Sequence, residues 1–552
     1  MKRLSGALVL ALVACDEPAP PLEPICSEGT NSSALTAVDR KIIGEAAPYD
    51  PAALGDDDDE HLASSQRDRR VAAWQTVAKV LQQVPLAEDL PNGSSLPSSV
   101  ARWQTWYDFD DVRRVFHRLY EELTPEQRVA RAAFSDELLD FGMTWNLTAV
   151  DALPNWPEEQ YLEYLAGIDT AGEVAGLGGI SRVMYSPAAA RHILKSYPEV
   201  LACRDEGVPP AVEGTPSQPQ FDAHRYVDLE ACETADFGPF TAGVGEKLRV
   251  ELDEPFNPSR GTFTASAGDE TCQALAGEAC QFDGPAEVTV HVKANGRALD
   301  SELSVIRLTP EVLWAGCLAG PFPSDAVIIK ADYRRADFDL TLPVYDTSAA
   351  GLSSQLAGDA EWHTDVEADP GPASIHTLTM PAGSTYRLAA LHIMTKELDH
   401  WVWVTLWWSD KPNEDFGADR PANVATLPGA WGNYKMCVAT AFEERDDAPG
   451  GGFDQTEPTL AAALATVYGG VGAPSWCSNP YLEEGHGNAS SNCIGCHQHG
   501  GTDLQAEAIL TYDDFGRTQL RNNFPSDYSW ALVEGDEIGL LFEQEEQYWQ
   551  DQ

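Results

Sequence analysis

The spacing of the apolar residues changes along this chain, and that change limits the fold more than any other feature. In residues 66–200 the apolar positions recur at helical intervals. Between residues 234 and 445, short segments such as Glu287–Val292 alternate apolar and polar residues with a period of two, which predicts strands. Helical spacing returns after residue 446. The sequence therefore predicts a multidomain α+β protein with an N-terminal helical domain, β-sandwich-like middle domains and a small, mainly helical C-terminal segment.

Composition shifts predict where these parts begin and end. The chain has 552 residues, of which 43% are hydrophobic, so it is long enough for several domains with their own cores. The predicted parts are a signal peptide (1–14), an acidic and proline-rich tether (15–65), a helical domain (66–213), a small β-sandwich module (214–302), a β domain (303–445) and a C-terminal segment (446–552).

Two dipeptides mark helix starts inside the helical domain. Thr124-Pro125 is followed by Gln127, so Thr124 can cap the helix and Gln127 can complete a capping box. Ser186-Pro187 predicts a second helix that runs through Val200.

The charge balance excludes one class of partner. The chain contains 36 Lys and Arg against 87 Asp and Glu, which gives a formal net charge of −51. A field of this sign repels phosphate backbones, so the sequence predicts no nucleic-acid partner. The same field favours solubility and basic protein partners.

The first residues form an export signal. Lys2 and Arg3 precede the apolar run Leu4–Ala14, which is shorter than the roughly 20 residues that cross a bilayer. The run ends in Leu12-Val13-Ala14-Cys15, which resembles the lipobox of bacterial lipoproteins. That resemblance implies cleavage before Cys15 and acylation of Cys15, which anchor the chain to a bacterial membrane on its periplasmic or cell-surface side. The alternative is an ordinary secretory signal with Cys15 in a disulfide.

Export also bears on the other cysteines, of which the chain has 11 including Cys15. In an oxidising compartment, cysteines outside a special motif are expected to form disulfides. Cys272 with Cys280 and Cys437 with Cys477 are the most local pairs. The eight candidates, enough for four disulfides, are Cys26, Cys203, Cys232, Cys272, Cys280, Cys317, Cys437 and Cys477.

The most specific motif is Cys493-Ile494-Gly495-Cys496-His497. Its Cys-x-x-Cys-His spacing is the attachment signature of c-type haem. Thiols three residues apart share one helical turn, so each can bond a vinyl group of the porphyrin, and the following histidine can ligate the iron. The sequence therefore predicts one covalent haem c on Cys493 and Cys496, with His497 as proximal iron ligand. Residues 446–552 are then a cytochrome c-type haem segment.

Two other interpretations of this motif remain open. Cys493 and Cys496 could form a thioredoxin-type disulfide, although the flanking residues lack the strand–helix context of that fold. Cys493, Cys496, His497 and His499 could bind zinc, although an adjacent Cys and His rarely both reach one tetrahedral ion.

The motif does not identify a distal ligand. No methionine follows His497, so the usual downstream Met ligand is absent. The distal position is either open or filled from the β domain, with His392 and Met394, which share one face of a predicted strand, as the first candidates. The remaining candidates are Met380, Met436, His376, His400 and His486.

An unusually aromatic segment, residues 400–408, lies before the motif. Interpreted as a strand, it places Trp401, Trp403 and Trp407 on one face. Either this face forms an aromatic wall against a flat cofactor, or the strand is simply buried on both faces.

Four sequence blocks together resemble a group of exported bacterial cytochrome-c-family proteins of uncharacterised function. These blocks are VIIKADYR, LAALHIM, HWVWVTLWW and NCIGCHQ, and the resemblance covers about residues 303–510. The group has a Lys-bearing strand, a His-bearing strand and a Trp-x-Trp-Ala-Thr-Phe-Glu segment before the haem motif. This chain departs from it at Leu406-Trp407-Trp408, where Phe-Glu-His would stand. The resemblance implies a haem protein whose β domain takes part in the site, and names no substrate.

The sequence leaves three functions open. The first is a membrane-anchored c-type cytochrome that transfers electrons to or from a redox partner protein. The second is a haem enzyme or gas sensor with an open distal site, which would be a haem-dependent oxidoreductase if catalytic. The third is a lipid-anchored binding protein with a Cys493–Cys496 disulfide and no haem. The sequence shows no second Cys-x-x-Cys-His, phosphate-binding loop, dinucleotide fingerprint or hydrolase motif.

Overall fold

Two separate hydrophobic cores are present among the residues that the structure describes. The larger core draws on residues from Ala46 to Phe542, and the smaller one is confined to residues 227–305. The chain is therefore a multidomain α+β protein, as the sequence predicted. Residues of the predicted helical domain, β domain and haem segment share the larger core. This computed structural model describes residues 46–550 except 53, 55, 86–98, 144–179, 208–219, 243–246, 254–260, 269, 277–278, 309–315, 337–339, 380–384, 448–451, 454, 484, 503, 505, 513, 522 and 533–536.

A seven-stranded antiparallel sheet, here called the central sheet, runs through the larger body. Three neighbouring strands form its middle: the Lys330 strand (Val327–Arg335), the His392 strand (Thr385–Thr395) and the tryptophan strand (Val402–Trp408). The spatial order is Tyr434–Ala439, tryptophan strand, His392 strand, Lys330 strand, Ile180–Tyr185 and Tyr107–Asp108, and Thr377–Thr379 also pairs with the His392 strand.

One face of this sheet, here called the motif face, carries the polar residues. Lys330 pairs with His392, and His392 pairs in turn with Thr405, so all three side chains point the same way. The Cys437 side chain lies on this face too, because Cys437 pairs with Thr405.

The C-terminal segment covers the motif face. Asn479 donates a hydrogen bond from Nδ2 to the Thr405 hydroxyl at 2.6 Å. The disulfide Cys437–Cys477 joins the sheet to the same segment. The residues just before the Cys-x-x-Cys-His motif are thus fixed directly against the sheet.

The opposite face packs on the helix Gln66–Val80. Arg70 of this helix donates a hydrogen bond to the Met436 carbonyl at 2.7 Å. Met436 pairs with Leu406, so both side chains point away from the motif face. Because the C-terminal segment covers one face of the sheet and this helix covers the other, all seven residues of the tryptophan strand are buried.

The helix starts follow the sequence signals. Thr124 and Gln127 form the predicted capping box at Pro125–Val129, and the Ser186 hydroxyl caps Pro187–Lys195. The second helix does not continue through Val200 as predicted. It ends at Lys195 and a new helix begins at Tyr197, because the Pro198 ring has no N–H to donate within a continuous helix. The other helices are Asp56–Ser64, Gln66–Val80, Phe109–Glu121, Asp136–Gly142, Tyr197–Glu206, Ala349–Gln355, Ala422–Ala425, Pro458–Val467, Cys493–His497, Ala506–Ile509 and Glu537–Gln550.

The smaller core lies inside a β-sandwich. Strand Ala286–Ala294 alternates exposed and buried residues, as the sequence pattern predicts. One four-stranded sheet has the order Ala279–Asp283, Lys247–Asp253, Leu299–Leu308, Gln220–Leu229, and the other has the order Thr234–Ala242, Ala286–Ala294, Gly261–Ala267, Glu270–Leu275. The second predicted β block forms the single central sheet, together with short pairs at 342–343 with 367–368 and at 443–444 with 473–474. A further short pair joins 83–85 to 99–101.

Three disulfides are formed among the described residues. Cys272–Cys280 and Cys437–Cys477 confirm the two local pairs predicted from the sequence, and the third is Cys203–Cys317. Cys232 is exposed and forms no disulfide with another described residue, and Cys26 lies outside the described residues.

The end of the predicted tether is folded onto the body. Tyr49 donates a hydrogen bond from its hydroxyl to Glu397 at 3.1 Å, and the Ala52 N–H donates to the same carboxylate. The acidic run that begins at Asp56 forms the helix Asp56–Ser64. The signal peptide and Cys15 lie outside the described residues. Within the described part of the chain, no helix is both long and apolar enough to cross a membrane.

Candidate functional site

The Cys-x-x-Cys-His motif forms a single helical turn, Cys493–His497, here called the motif helix. Asn492 caps it, because its Oδ1 accepts a hydrogen bond from the Gly495 N–H at 2.5 Å. The Asn492 Nδ2 also donates to the Ser475 carbonyl at 2.8 Å, which fixes the cap to the chain before it. The helix thus begins directly at Cys493 and sets Cys493 and Cys496 one turn apart. Neither thiol is in a disulfide.

Gly495 lets the motif helix approach a neighbouring turn. A Cβ at this position would lie 2.1 Å from the Gly516 carbonyl oxygen, which is far inside van der Waals contact. The backbone at residues 516–517 therefore lies directly against the middle of the motif.

His497 is oriented by a main-chain carbonyl. Its Nδ1 lies 2.8 Å from the Tyr528 carbonyl oxygen. A carbonyl can only accept, so Nδ1 carries the proton and the lone pair is on Nε2. Histidines that bind metals typically make this second hydrogen bond, which fixes the ring and its tautomer. Burial lowers the pKa of His497 to about 4, with Lys330 adding to the effect, so the imidazole is neutral.

The turn that presents the Tyr528 carbonyl is itself held in place. Asp527 and Tyr528 have φ angles of 45° and 69°, a left-handed conformation that costs energy for side chains other than glycine. The buried Asp527 carboxylate accepts hydrogen bonds from the Phe322 N–H at 2.8 Å, Lys396 Nζ at 3.0 Å and Trp401 Nε1 at 3.2 Å. These contacts hold the strained turn behind His497.

Gln498, next to His497, ties the motif helix to the following loop. Its Nε2 donates to the Gly495 and Thr518 carbonyls at 2.7 and 2.8 Å. Its Oε1 accepts from the N–H groups of Leu520 and Arg521 at 2.8 and 3.1 Å. Both the nitrogen and the oxygen of this fully buried amide are hydrogen-bonded, and these bonds fix the position of the motif helix.

Aromatic rings pack beside the candidate ligand. The Trp403 ring lies 4.6 Å from the His497 ring between centroids, and the Trp530 ring lies 6.2 Å away at an edge. Trp403 is on the motif face, where it pairs with Met394. The tryptophan strand is therefore buried on both faces, and one of its rings also borders the motif.

Three polar side chains surround the same point: Lys330, His392 and Glu483. The charge of Lys330 acts on His392, His497 and Glu483, and Glu483 acts on both motif cysteines. Each of the three side chains is only partly accessible to solvent. Burial raises the pKa of Glu483 to about 7 and lowers that of Lys330.

The motif thiols are kept protonated. Burial raises the pKa of Cys493 well above its usual range and that of Cys496 to about 12, and the negative charge of Glu483 adds to both shifts. Redox-active and nucleophilic cysteines have lowered pKa values, so this environment is unlike that of a thioredoxin-type pair.

The two candidate distal ligands lie on the same strand face, as predicted. His392 pairs with Lys330 and Thr405, whereas Met394 pairs with Ile328 and Trp403. Met394 is packed within the larger hydrophobic core, and only 7% of its surface is exposed. The Nε2 atom of His392 is buried and has no hydrogen-bond partner among the described residues.

The structure does not bring the residues of the zinc alternative together. Among the described residues, Cys493, Cys496, His497 and His499 contribute no set of three donor atoms within 4.8 Å of one another. The group that meets this criterion is Asp359, Glu361 and His486, in which both Asp359 and His486 are exposed.

Sequence reasoning missed Tyr528, Asp527 and Glu483. The role of Tyr528 belongs to its main-chain carbonyl, which no residue type signals. Lys330 could have been recognised as a candidate site residue, because a half-buried lysine inside the otherwise apolar strand Val327–Arg335 requires partners for its charge.

Comparisons with protein-family models, with curated proteins and with solved structures found no match to this chain.

Proposed function

We propose that this protein is a c-type cytochrome that binds one haem covalently through Cys493 and Cys496, with His497 as the proximal iron ligand. Bound haem would supply one-electron redox chemistry. Cys493 and Cys496 would supply the two thioether attachments, and His497, with Trp403 beside it, would present a neutral imidazole from a fixed direction.

One observation carries the proposal. His497 donates Nδ1–H to the Tyr528 carbonyl and therefore has its Nε2 lone pair available, one residue after two unpaired thiols on a single helical turn. This is the donor set that haem c requires, and it is held by a buried network rather than by a mobile loop.

The cysteine pattern also supports the proposal. Within the part of the chain that the structure describes, six cysteines form disulfides, whereas Cys493 and Cys496 do not. A surface binding protein that used this motif only as a structural disulfide has no need for a histidine oriented by a strained turn.

We propose further that the chain is anchored to a bacterial membrane through lipid on Cys15, faces the periplasm or the cell surface, and transfers electrons to a redox partner protein. The net charge of −51 favours a partner with a basic docking surface. An electron-transfer role is preferred to catalysis because Lys330, His392 and Trp403 crowd the side of the sheet that faces the motif.

The first experiment is a pyridine haemochrome spectrum of protein made with a c-haem maturation system. We expect a c-type α-band in the wild type and none in Cys493→Ala/Cys496→Ala. Cys232→Ser, which changes the exposed unpaired cysteine, is the matched control and should keep the full band. A colourless wild type under competent maturation would contradict the proposal and favour a binding protein.

Anchoring is tested separately. Wild-type protein should partition with membranes and with detergent, and Cys15→Ser should move to the aqueous fraction while keeping its haem. Equal partitioning of both proteins would contradict lipid attachment at Cys15 and leave the haem proposal intact.

A further inference from the structure

His392 is on the motif face of the central sheet, the face that the C-terminal segment covers. The motif helix lies over this same face, since the His497 ring packs on Trp403 at 4.6 Å. Both His497 and Lys330 lie within electrostatic range of the His392 imidazole.

The His392 imidazole also lacks a partner that its burial demands. Its Nε2 is buried and makes no hydrogen bond with any described residue. Leaving a buried polar atom unpaired is unfavourable, so such atoms usually have a ligand, an ion or a role in the site. An imidazole nitrogen without a hydrogen-bond partner in this position is suited to a metal such as haem iron.

Met394, the other candidate on the same strand, is less suited. Its side chain packs in the larger hydrophobic core, where a thioether needs no polar partner. Lys330 pairs with His392 on the neighbouring strand; burial lowers the pKa of its ammonium, and the charges of Asp332 and Glu483 oppose that shift.

Among the described residues, no other candidate combines a position on the motif face with a buried nitrogen that lacks a hydrogen-bond partner. Met436 points away from the motif face, and Met380 lies outside the described residues. His376 stacks on Trp431 at 4.7 Å, and the His400 ring is surrounded by Phe442, Phe524 and Tyr528. His486 lies at the surface with Asp359 and Glu361.

We infer that the His392 Nε2 is the distal ligand of the haem held by His497, which makes the site a six-coordinate, bis-histidine electron-transfer centre without an open position for gases or substrates. This inference rests on the proposed function above. It places the protein with electron carriers rather than with gas sensors or haem enzymes, because no iron position remains for another ligand.

The test compares optical and electron paramagnetic resonance spectra of full-length haem-loaded protein. Wild type should be low-spin in both oxidation states and should not react with carbon monoxide on mixing. His392→Ala should become high-spin and bind carbon monoxide, and added imidazole should restore the low-spin spectrum. Met394→Leu and His499→Ala should behave as wild type; His499 is the matched control, because its Nε2 is also buried and unpaired.

A second variant covers the case in which His392→Ala is too unstable to load. His392→Met should remain six-coordinate and shift the midpoint potential to more positive values, because a Met/His pair favours ferrous iron. A purely structural role for His392 would leave both the spin state and the potential unchanged.

The inference is overturned if wild type binds carbon monoxide at once, if His392→Ala stays low-spin, or if Met394→Leu alone gives the high-spin spectrum. The pyridine haemochrome of each variant separates these results from failure of the proposed function, because that spectrum reports covalent haem whatever the distal ligand is. Wild type without haem would refute the proposed function itself.

Discussion

Gly495 shows how much one residue contributes to the motif. A Cβ at this position would meet the Gly516 carbonyl oxygen at 2.1 Å and the Asn492 Oδ1 at 2.7 Å. In an exposed helix, alanine would be stabilising relative to glycine by up to about 1 kcal/mol. Here the overlap with a backbone oxygen should outweigh that gain.

We expect Gly495→Ala to lower the free energy of unfolding by about 1–3 kcal/mol, the usual cost of overpacking. Thermal denaturation and the yield of covalent haem measure the effect. Gly371→Ala is the control, because a Cβ there meets no atom within 4 Å and its backbone is not left-handed. Equal stability of the two variants would show that the close approach of Gly516 does not restrict the side chain at position 495.

The buried Glu483 carboxyl leads us to expect that the redox potential of the proposed haem depends on pH. Burial raises the pKa of this carboxyl to about 7, and its charge acts on both motif cysteines. The ionised form favours ferric iron, so the midpoint potential should fall as the pH rises through about 7. The slope is limited to about 59 mV per pH unit, the value for one proton per electron.

A spectroelectrochemical titration across neutral pH measures this slope. Glu483→Gln should flatten it and keep the Oε that accepts the Asn479 N–H. Glu543→Gln, which removes an exposed carboxylate paired with Arg204, should leave it unchanged. A slope that survives in Glu483→Gln would assign the titrating group to another residue.

For individual residues, the sequence could predict features that depend on residue type and spacing. Cys493, Cys496 and His497 are recognisable from their spacing alone, and the two local disulfides follow from short separations. The orientation of His497 was not predictable, because it depends on a carbonyl 31 residues away.

Among the elements, the Cys437–Cys477 disulfide joins a strand of the central sheet to the segment that carries the motif. It closes a loop with a sequence separation of 40 residues. A loop of this length predicts a loss of about 4 kcal/mol when the bond is removed, on the chain-entropy estimate.

We expect Cys437→Ser/Cys477→Ser to lower the thermal midpoint of the main body and to broaden the haem spectrum. Cys272→Ser/Cys280→Ser is the matched control, because that disulfide lies in the sandwich and should affect only the sandwich. Equal effects of both pairs on the haem would argue that the first disulfide does not position the motif.

The strands of the central sheet also show which elements the sequence patterns could not predict. Hydrophobic period predicted the strands of the sandwich and the Lys330, His392 and tryptophan strands. It did not predict that Tyr107–Asp108 and Ile180–Tyr185, inside a helical segment, complete the central sheet. Short strands are stabilised by pairing with strands far along the chain, and the local sequence does not reveal those partners.

In the whole molecule, the sandwich is an insertion into the larger body. Its first and last strands are neighbours, and Gln220 pairs with Arg307, so the chain enters and leaves at one place. Its core shares no residue with the larger core. This arrangement predicts two independently folding units.

We expect that replacing residues 220–308 with a short glycine–serine linker leaves the haem spectrum and carbon monoxide behaviour of the remaining protein unchanged. Calorimetry of the intact protein should show two transitions, and the deletion variant should lack one of them. Loss of haem from the deletion variant would mean that the sandwich supports the site.

In the larger body, residues of the helical region near 109–131 contact the helix Glu537–Gln550. Phe116 packs on Phe542 at 4.3 Å between ring centroids, and Arg131 pairs with Glu546. During synthesis, the apolar face of the helix Phe109–Glu121 is therefore not covered until the helix Glu537–Gln550 has been made, whereas the sandwich can fold as soon as its last strand emerges. A chain that stops short of its last 16 residues should thus expose the early helices to proteases, although it retains every residue proposed to touch the haem.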